Sequence, residues 1–274
     1  MSSSVSEDDV LVHSGREPCD HSPFVYAIGQ IHCRFPNQGI EKEFAQVIGR
    51  TKTKGLTDSQ AMREALALPE NRCLARQLTY VLSIQGVEAY VLLPRYSEDY
   101  GKLIDALRPN PSPLDLDVVI GVRGPISMPD ECNGVPLPEA RFEQLYSFDR
   151  TSLVKAMKKP RGMTSEQFEA ATEEVLTKIL QIAENTGATH EARAANYVAC
   201  RYAAVYTKTF ESFANDFALA SIDVHPSPVG ETRHVMEFTL SYTDRRTDMT
   251  DRFSVLVDTQ DMYPFLRNRL APSL

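Results

Sequence analysis

Apolar residues in the first part of the chain follow a pattern that predicts a strand, a helix and a hairpin. Most positions from 24 to 31 are β-branched or aromatic, and a turn-forming segment follows at residues 36–39, which is typical of a buried strand. Residues 40–48 then predict a short helix. Two apolar runs within residues 78–93 meet at Gln85-Gly86, where glycine can adopt the positive φ of a tight turn, so we predict a β-hairpin there.

The middle of the chain predicts two long helices. Thr164 and Gln167 form a capping box, and apolar residues recur at helical spacing from there to Gly187, a typical residue at the end of a helix. Residues 191–213 carry a second helical stripe. Because the loop between the two helices is short, we expect them to pack as an antiparallel pair.

Shorter elements precede and follow this helical pair. Residues 97–107 predict a helix, and residues 116–122 predict a strand that ends at Gly124-Pro125. Antiparallel strands are predicted near the C-terminus, at residues 219–224, 235–242 and 253–257. Regular βαβ alternation is absent from this order of elements. The sequence therefore predicts an α+β fold, with mixed or antiparallel sheet elements and a central antiparallel helical pair.

The composition of the first residues differs from that of the remaining chain. Residues 1–22 are rich in Ser, Asp, Glu and His and have little apolar periodicity, so they predict a loose, disordered tail. Residues 23–274 predict a single globular domain. Its one candidate boundary between lobes lies at residues 158–163, which contain Pro160 and Gly162.

Charge and cysteine content exclude several classes of protein. The chain has a formal net charge of −8, and its only dense basic run lies at residues 155–161, which argues against nucleic-acid binding. No apolar stretch is long enough to cross a bilayer and no secretory signal is present, so we expect a cytoplasmic protein with no membrane partner. The five cysteines are odd in number and scattered, which favours reduced thiols.

The common catalytic motifs do not occur in the sequence. It contains no G-x-S-x-G elbow, Walker loop, dinucleotide fingerprint or H-E-x-x-H motif. The Gly121-Val122-Arg123-Gly124 segment could offer backbone N–H groups to an anion, although a plain turn is the simpler interpretation. Cys19, His21, His32 and Cys33 are ligand types of a zinc site, but they lack its spacing. We therefore predict neither a metal nor a cofactor.

Six segments distributed over most of the chain carry a resemblance to a known family. They are FVYAIGQIHCRFPNQGIEKEFAQVIGR from Phe24, LARQLTYVLSIQGVEAYVLLPR from Leu74, DVVIGVRGPISMPDECNG from Asp117, LYSFDR from Leu145, GATHEARAANYVACRY from Gly187 and LSYTDRRTDMTDRFSVLVD from Leu240. Together they resemble the C-terminal domain of cyanobactin maturation proteins of the PatG and PatA type. In that family the domain follows a subtilisin-like protease that processes a precursor peptide. Protease motifs are missing here, so the chain resembles a free-standing copy of the appended domain.

The resemblance implies a function but no catalytic residues, because the family's domain has no assigned activity. It favours a non-catalytic binding or assembly module in the maturation of ribosomally synthesised, modified peptides, with a precursor peptide or a processing protease as partner. Arg123, Arg201 and Arg245 are the candidate binding residues, because arginine can hold a carboxylate through two parallel bonds. The hairpin at residues 78–93 and the strands at residues 235–257 are candidate edges for an added peptide strand.

Two alternatives stay open at this point. The chain could be a peptide- or small-molecule-modifying enzyme with a site around Arg123, Cys132, Asn133 and His190, in which a thiolate and a histidine base act together. The sequence does not contain a nucleophile and a general base at a spacing that is typical of an active site. The chain could also be a structural homodimer whose partner is a second copy.

Overall fold

The protein is described by a computed structural model that shows three layers. It describes residues 22–50, 55–112, 115–127, 136–149, 164–182, 185–229 and 232–273. In this part of the chain a closed β-barrel, a layer of helices and an antiparallel sheet follow one another, which confirms the predicted α+β fold. None of the described helices combines the length and the apolar character needed to cross a membrane. The predicted tail up to residue 21 and the predicted lobe boundary lie outside the described residues.

The barrel contains five strands that pair in the order β1-β2-β3-β5-β4 and close on β1. They are β1 (Phe24–Arg34), β2 (Thr79–Ile84), β3 (Val87–Pro94), β4 (Asp115–Ile126) and β5 (Pro138–Asp149). The predicted hairpin corresponds to β2 and β3, with positive φ at Gln85 and Gly86. Neighbouring strands are antiparallel except for β3 and β5, which are parallel and pair only over residues 91–94 of β3.

Short helices share one apolar cluster with the barrel. They are α1 (Gln38–Arg50), α2 (Asp58–Ala67), α3 (Arg72–Gln77) and α4 (Tyr100–Ala106). Phe44, Leu66 and Leu103 of these helices pack in the same buried cluster as Tyr80 and Phe142 of the barrel. This cluster excludes water from the first core of the protein.

Three longer helices connect the barrel to the sheet. They are α5 (Ser165–Leu180), α6 (His190–Arg201) and α7 (Ala203–Ala214). A second apolar cluster joins Tyr26 and Val118 of the barrel, Ile179 and Val198 of the helices, and Phe238 of the sheet. The helices therefore join the barrel to the sheet, and α6 packs on both layers.

The sheet is antiparallel and has polar side chains on its outer face. Its strands are β6 (Phe217–Pro226), β7 (Val235–Asp244), β8 (Thr250–Asp258), β9 (Phe265–Leu266) and β10 (Ala271–Pro272). Strand β7 lies between β6 and β8, while β9 pairs with the end of β8 and β10 with its middle. Alternate residues of β7, such as Phe238 and Leu240, face the helices and bury completely.

The second predicted helix is in fact two helices. Tyr202 leaves the helical conformation, with φ −117° and ψ 86°, and thereby separates α6 from α7. Its hydroxyl accepts a hydrogen bond of 2.8 Å from the backbone N–H of Leu270, a residue far away in the sequence. A tertiary contact of this kind leaves no trace in local hydrophobic periodicity.

The prediction of a turn at Gly121 to Gly124 is wrong, because these residues lie inside β4. A Cβ on Gly121 would lie 2.2 Å from the carbonyl oxygen of Arg141 on β5, so glycine permits a close approach of two strands. Strand β5 itself and helix α2 were not predicted. Both belong to the first core.

Gly187 is required by its backbone conformation and by its neighbours. Its φ is +74°, and a Cβ there would lie 2.4 Å from the carbonyl oxygen of Tyr26. We expect Gly187→Ala to lower the free energy of unfolding by at least about 2 kcal/mol, through backbone strain and overpacking. Gly101→Ala in α4 is the matched control, because its Cβ would meet no atom within 4 Å and alanine favours a helix. Urea denaturation of both variants measures the difference, and equal stabilities would contradict the assigned role of Gly187.

Candidate functional site

A cleft with a volume of about 470 Å³ opens beside the first half of β3. Strand β3 forms one wall, and the end of β4, the beginning of β5 and the segment that leads into α6 form the others. We call it the Arg123 cleft. Its lining residues are Ile84, Gln85, Val87, Glu88, Ala89, Tyr90, Arg123, Leu137, Pro138, Gln181, Ile182, Asn185, Thr186 and Ala188.

Arg123 brings a positive charge into this cleft. Its backbone N–H donates to the carbonyl of Pro23 at 2.9 Å, which fixes its position at the end of β4. The side chain is half-buried, and its Nε is enclosed without a hydrogen-bond partner among the described residues. No ion pair in the described part of the chain includes Arg123. The guanidinium therefore retains its capacity to bind an anion.

Other polar groups of the cleft do not neutralise this charge. The carboxylate of Glu88 bonds Arg34 and lies 2.9 Å from Nε2 of His32, so it is held by two other side chains. Burial raises the pKa of the Tyr90 hydroxyl, against the lowering effects of Thr186 and of the charge on Arg123. Tyr90 is therefore a neutral hydrogen-bonding group at neutral pH.

The backbone of β3 is open along the same cleft. Residues 87–90 pair with β2 on one side, but β5 pairs with β3 only from Val91 onward. No other described strand pairs with residues 87–90 on the side of β5. Unpaired N–H and C=O groups of this kind form a template for an added strand. Val87 at the rim of the cleft is 70% exposed and adds apolar surface.

A larger cleft, of about 590 Å³, lies beside β1 and the helices of the first core, but its charges are already satisfied. Asp117 accepts hydrogen bonds from the N–H of Ile31 at 2.8 Å and from Ser147, and it lies 3.4 Å from Arg108. Burial raises the pKa of Asp117, and these donors oppose that effect. Arg108 also binds Asp115 at 3.2 Å. Internal pairing therefore leaves fewer free charges in this cleft than in the Arg123 cleft.

The structure does not bring the three predicted arginines together. Arg201 lies at the end of α6, with its guanidinium 4.9 Å from the centre of the Tyr146 ring. Arg245 is exposed in the turn that follows β7, where its N–H donates to the carbonyl of Asp216 at 3.1 Å. Arg123 is the one of the three that lines the Arg123 cleft.

His190 has a buried position at the start of α6. Its Nδ1 lies 2.8 Å from Oγ1 of Thr259, and its ring stacks on His234 with 3.9 Å between the ring centres. It is not part of the lining of the Arg123 cleft. Cys132 and Asn133 of the enzyme hypothesis lie outside the described residues, as do Cys19 and His21 of the zinc hypothesis. The remaining described His, Cys, Asp and Glu residues form no group of three that could hold a metal.

Arg193 is a buried residue that the sequence did not single out. Its guanidinium donates to Ser22 Oγ at 2.8 Å, to the carbonyl of Thr259 at 2.5 Å and to the carbonyl of Met262 at 3.2 Å. Burial lowers its pKa to about 10, so it remains charged at neutral pH. Ser22, which the composition assigns to the tail, is thus buried and bound to the core. In the sequence, Arg193 lies among alanines at the spacing of a buried helical face, and this pattern could have indicated a buried arginine.

Comparison with known proteins identifies the family. The sequence profile described as PatG Domain matches residues 24–225, which is most of the chain. The chain belongs to the PatG domain family. A solved structure described as "PatG Domain of Unknown Function" has a TM-score of 0.70 to it at 19% identity, covering 92% of this chain and 99% of that one, which shows a common fold. No curated protein matches the chain. The predicted resemblance is therefore confirmed.

The described thiols of this PatG domain differ in their burial. Burial raises the pKa of Cys33 to about 11 and desolvation raises that of Cys200 to about 12, whereas Cys73 is exposed. The first two thiols are thus almost entirely protonated at pH 8, and the thiolate is the nucleophile. We expect iodoacetamide at pH 8 to modify Cys73 at least about 100-fold faster than Cys33 or Cys200 in the folded protein. Peptide mapping by mass spectrometry measures the rates, and fast modification of Cys200 would contradict its protonated state.

Proposed function

We propose that this PatG domain is a non-catalytic binding module in the maturation of ribosomally synthesised, modified peptides of the cyanobactin type. Its ligand is an extended segment of a precursor peptide or of a processing protease, and this segment carries a carboxylate. One observation carries the proposal: Arg123, which has no ion-pair partner among the described residues, lies in the same cleft as the part of β3 that no described strand pairs on the side of β5.

The open edge supplies affinity that is independent of the ligand sequence. A peptide that pairs with residues 87–90 would extend the β2 and β3 pair by one strand. Main-chain hydrogen bonds hold such a strand, and alternate side chains point into the cleft or away from it. Apolar lining residues such as Ile84, Leu137 and Ile182 then favour an apolar side chain at the inward positions.

Arg123 supplies selectivity for a carboxylate. A half-buried guanidinium forms fewer hydrogen bonds with water than an exposed one does. A carboxylate that accepts two hydrogen bonds from it therefore displaces little water. A hydrogen bond to a charged group contributes about 1.5–3 kcal/mol, which corresponds to roughly 10-fold to 100-fold in affinity. Glu88 does not compete for this role, because Arg34 and His32 already hold its carboxylate.

No observation on the residues that the structure describes favours the enzyme alternative. His190 would be its base, but the Thr259 hydroxyl and the His234 ring hold this side chain at the start of α6. The described thiols with raised pKa values, Cys33 and Cys200, are poor nucleophiles and do not line the Arg123 cleft. Binding without chemical change is therefore the simpler function for the Arg123 cleft.

Calorimetric titration tests this function with the full chain and synthetic overlapping peptides from the precursor and the protease encoded by neighbouring genes. We expect at least one acidic peptide to bind, and Arg123→Ala to weaken that binding by about 10-fold or more. Arg245→Ala is the matched control, because it removes the same charge from an exposed turn and should leave the affinity unchanged.

Replacing the peptide carboxylates by amides should weaken binding as much as Arg123→Ala does, and should have no further effect on that variant. Mass spectrometry of the peptide after incubation should show an unchanged mass. A changed mass would establish an enzyme. Equal losses of peptide affinity in the Arg123 and Arg245 variants would show that the Arg123 cleft is not the binding site. If none of these peptides binds, the proposed function is overturned.

A further inference from the structure

Strand β6 is an open edge of the antiparallel sheet. It pairs with β7 and with no other strand of the described residues. The opposite side of the sheet is covered over residues 253–258, because β10 and β9 pair with β8 there and the N–H of Leu256 between them donates to Asn268 at 2.7 Å. The free backbone groups of this sheet are therefore concentrated on β6.

The pairing with β7 shows which groups of β6 are free. The N–H of Ser227 donates to the carbonyl of Val235 at 2.8 Å, so residues 227, 225, 223 and 221 are the hydrogen-bonded positions of the antiparallel pair. Ile222, Val224 and Pro226 alternate with them and direct their backbone groups away from β7. Pro226 has no N–H to offer, but Ile222 and Val224 present both a donor and an acceptor.

We propose that this edge binds β6 of a second copy of the chain, in an antiparallel arrangement with the two Val224 residues opposite each other. In this register the N–H of each Val224 donates to the carbonyl of the other. The N–H of Ile222 in each copy meets the carbonyl of Pro226 in the other copy. The two sheets then form one continuous sheet around a two-fold axis.

Charge selects this register over the neighbouring one. With the Val224 residues opposite each other, Asp223 of each copy faces His225 of the other on the polar side of the sheet. The alternative register, centred on Asp223, places two carboxylates directly opposite each other, which is destabilising. It also needs a hydrogen-bonded position at Ala220, where the pairing of β6 with β7 is irregular. Charge and strand regularity therefore favour the register centred on Val224 over the one centred on Asp223.

The side chains at this edge are available for the contact. Asp223 is exposed and accepts a hydrogen bond of 2.7 Å from the hydroxyl of Ser221 in the same strand. The His225 side chain is 54% exposed and lies 3.6 Å from Glu237, so it would lie between two carboxylates in the dimer. Ile222 and Val224 are half-buried on the side of the helices, where the second copy would cover them further.

Such an interface is small, so the dimer should be weak. Contacts below the standard interface size belong to transient complexes. We expect a dissociation constant on the order of 1–100 µM. This dimer is independent of peptide binding, because Arg123 and the open edge of β3 belong to the barrel and not to this sheet.

Sedimentation equilibrium of the full chain, from about 1 to about 500 µM, tests the dimer across this range of affinity. Val224→Pro removes the outward N–H without removing a bond to β7, so it should give a folded monomer at every concentration. Asp223→Lys removes the carboxylate that faces the His225 imidazole in both halves of the dimer and should weaken association about 10-fold or more. Asp251→Lys is the matched control, because it changes the net charge by the same amount as Asp223→Lys but lies in β8. It should associate like the unaltered chain.

Circular dichroism shows whether each variant folds. If Val224→Pro unfolds, the dissociation constants of the Asp223→Lys and Asp251→Lys dimers are compared instead. A chain that stays monomeric at the highest concentration overturns the proposal, and so does a dimer that Asp223→Lys and Asp251→Lys affect equally. Arg123→Ala should dimerise normally, so failure of the peptide proposal and failure of this one are distinguishable.

Discussion

Burial of helix α6 on both faces is the constraint on which the remaining structure depends. The helix packs against β1 of the barrel on one side and against β6 and β7 of the sheet on the other. Its alanines, including Ala194, Ala195 and Ala199, allow both layers to approach closely because they add little volume. Larger side chains at these positions would separate the two layers.

A helix enclosed in this way needs partners for its buried polar side chains, and among the described residues only Nε of Arg193 lacks one in this helix. Asn196 donates to the carbonyl of Tyr26 at 2.8 Å and forms reciprocal amide bonds with Asn185 at 2.8 and 2.9 Å. Arg193 binds carbonyl groups of the C-terminal segment and the hydroxyl of Ser22. These buried bonds fix the helix relative to chain segments before and after it, since breaking one leaves an unpaired polar group.

The same packing shapes the Arg123 cleft. Asn185 and Ala188 belong to the segment that leads into α6 and also line the cleft. Gly187 between them accepts a hydrogen bond of 2.9 Å from Tyr26, so this segment lies directly along β1. Helix packing thus holds one wall of the cleft in place, while β3 provides the other. A site built from such fixed walls loses little entropy when a ligand binds.

Local signals in the sequence predict the elements of this fold but not their assembly. The capping box of Thr164 and the glycine turn of the hairpin gave correct elements, because both act over a few residues. Helix α2 has an equivalent capping box at Thr57, and that signal was overlooked. The closed barrel depends on the parallel pairing of β3 with β5, which joins residues about fifty positions apart and leaves no periodic pattern.

The candidate site also depends on tertiary contacts that local signals in the sequence do not show. The sequence indicates Arg123, Arg201 and Arg245 equally as binding residues, because the three side chains have the same charge and the same donors. Only the tertiary structure distinguishes them, because Arg123 is half-buried in a cleft, whereas Arg201 and Arg245 are exposed. Desolvation is a property of the assembled fold, and it decides which of several identical charges can bind a ligand strongly.

The two open edges of the molecule differ in what limits their partners. The edge of β3 lies along a cleft of about 470 Å³ that also contains Arg123, so the proposed ligand is an extended peptide. The edge of β6 lies at the side of a sheet and can meet another folded domain. A net charge of −8 opposes any contact between two copies, although salt screens that repulsion beyond about 8 Å. The pairing of each Asp223 carboxylate with the His225 imidazole of the other copy must therefore outweigh the general repulsion.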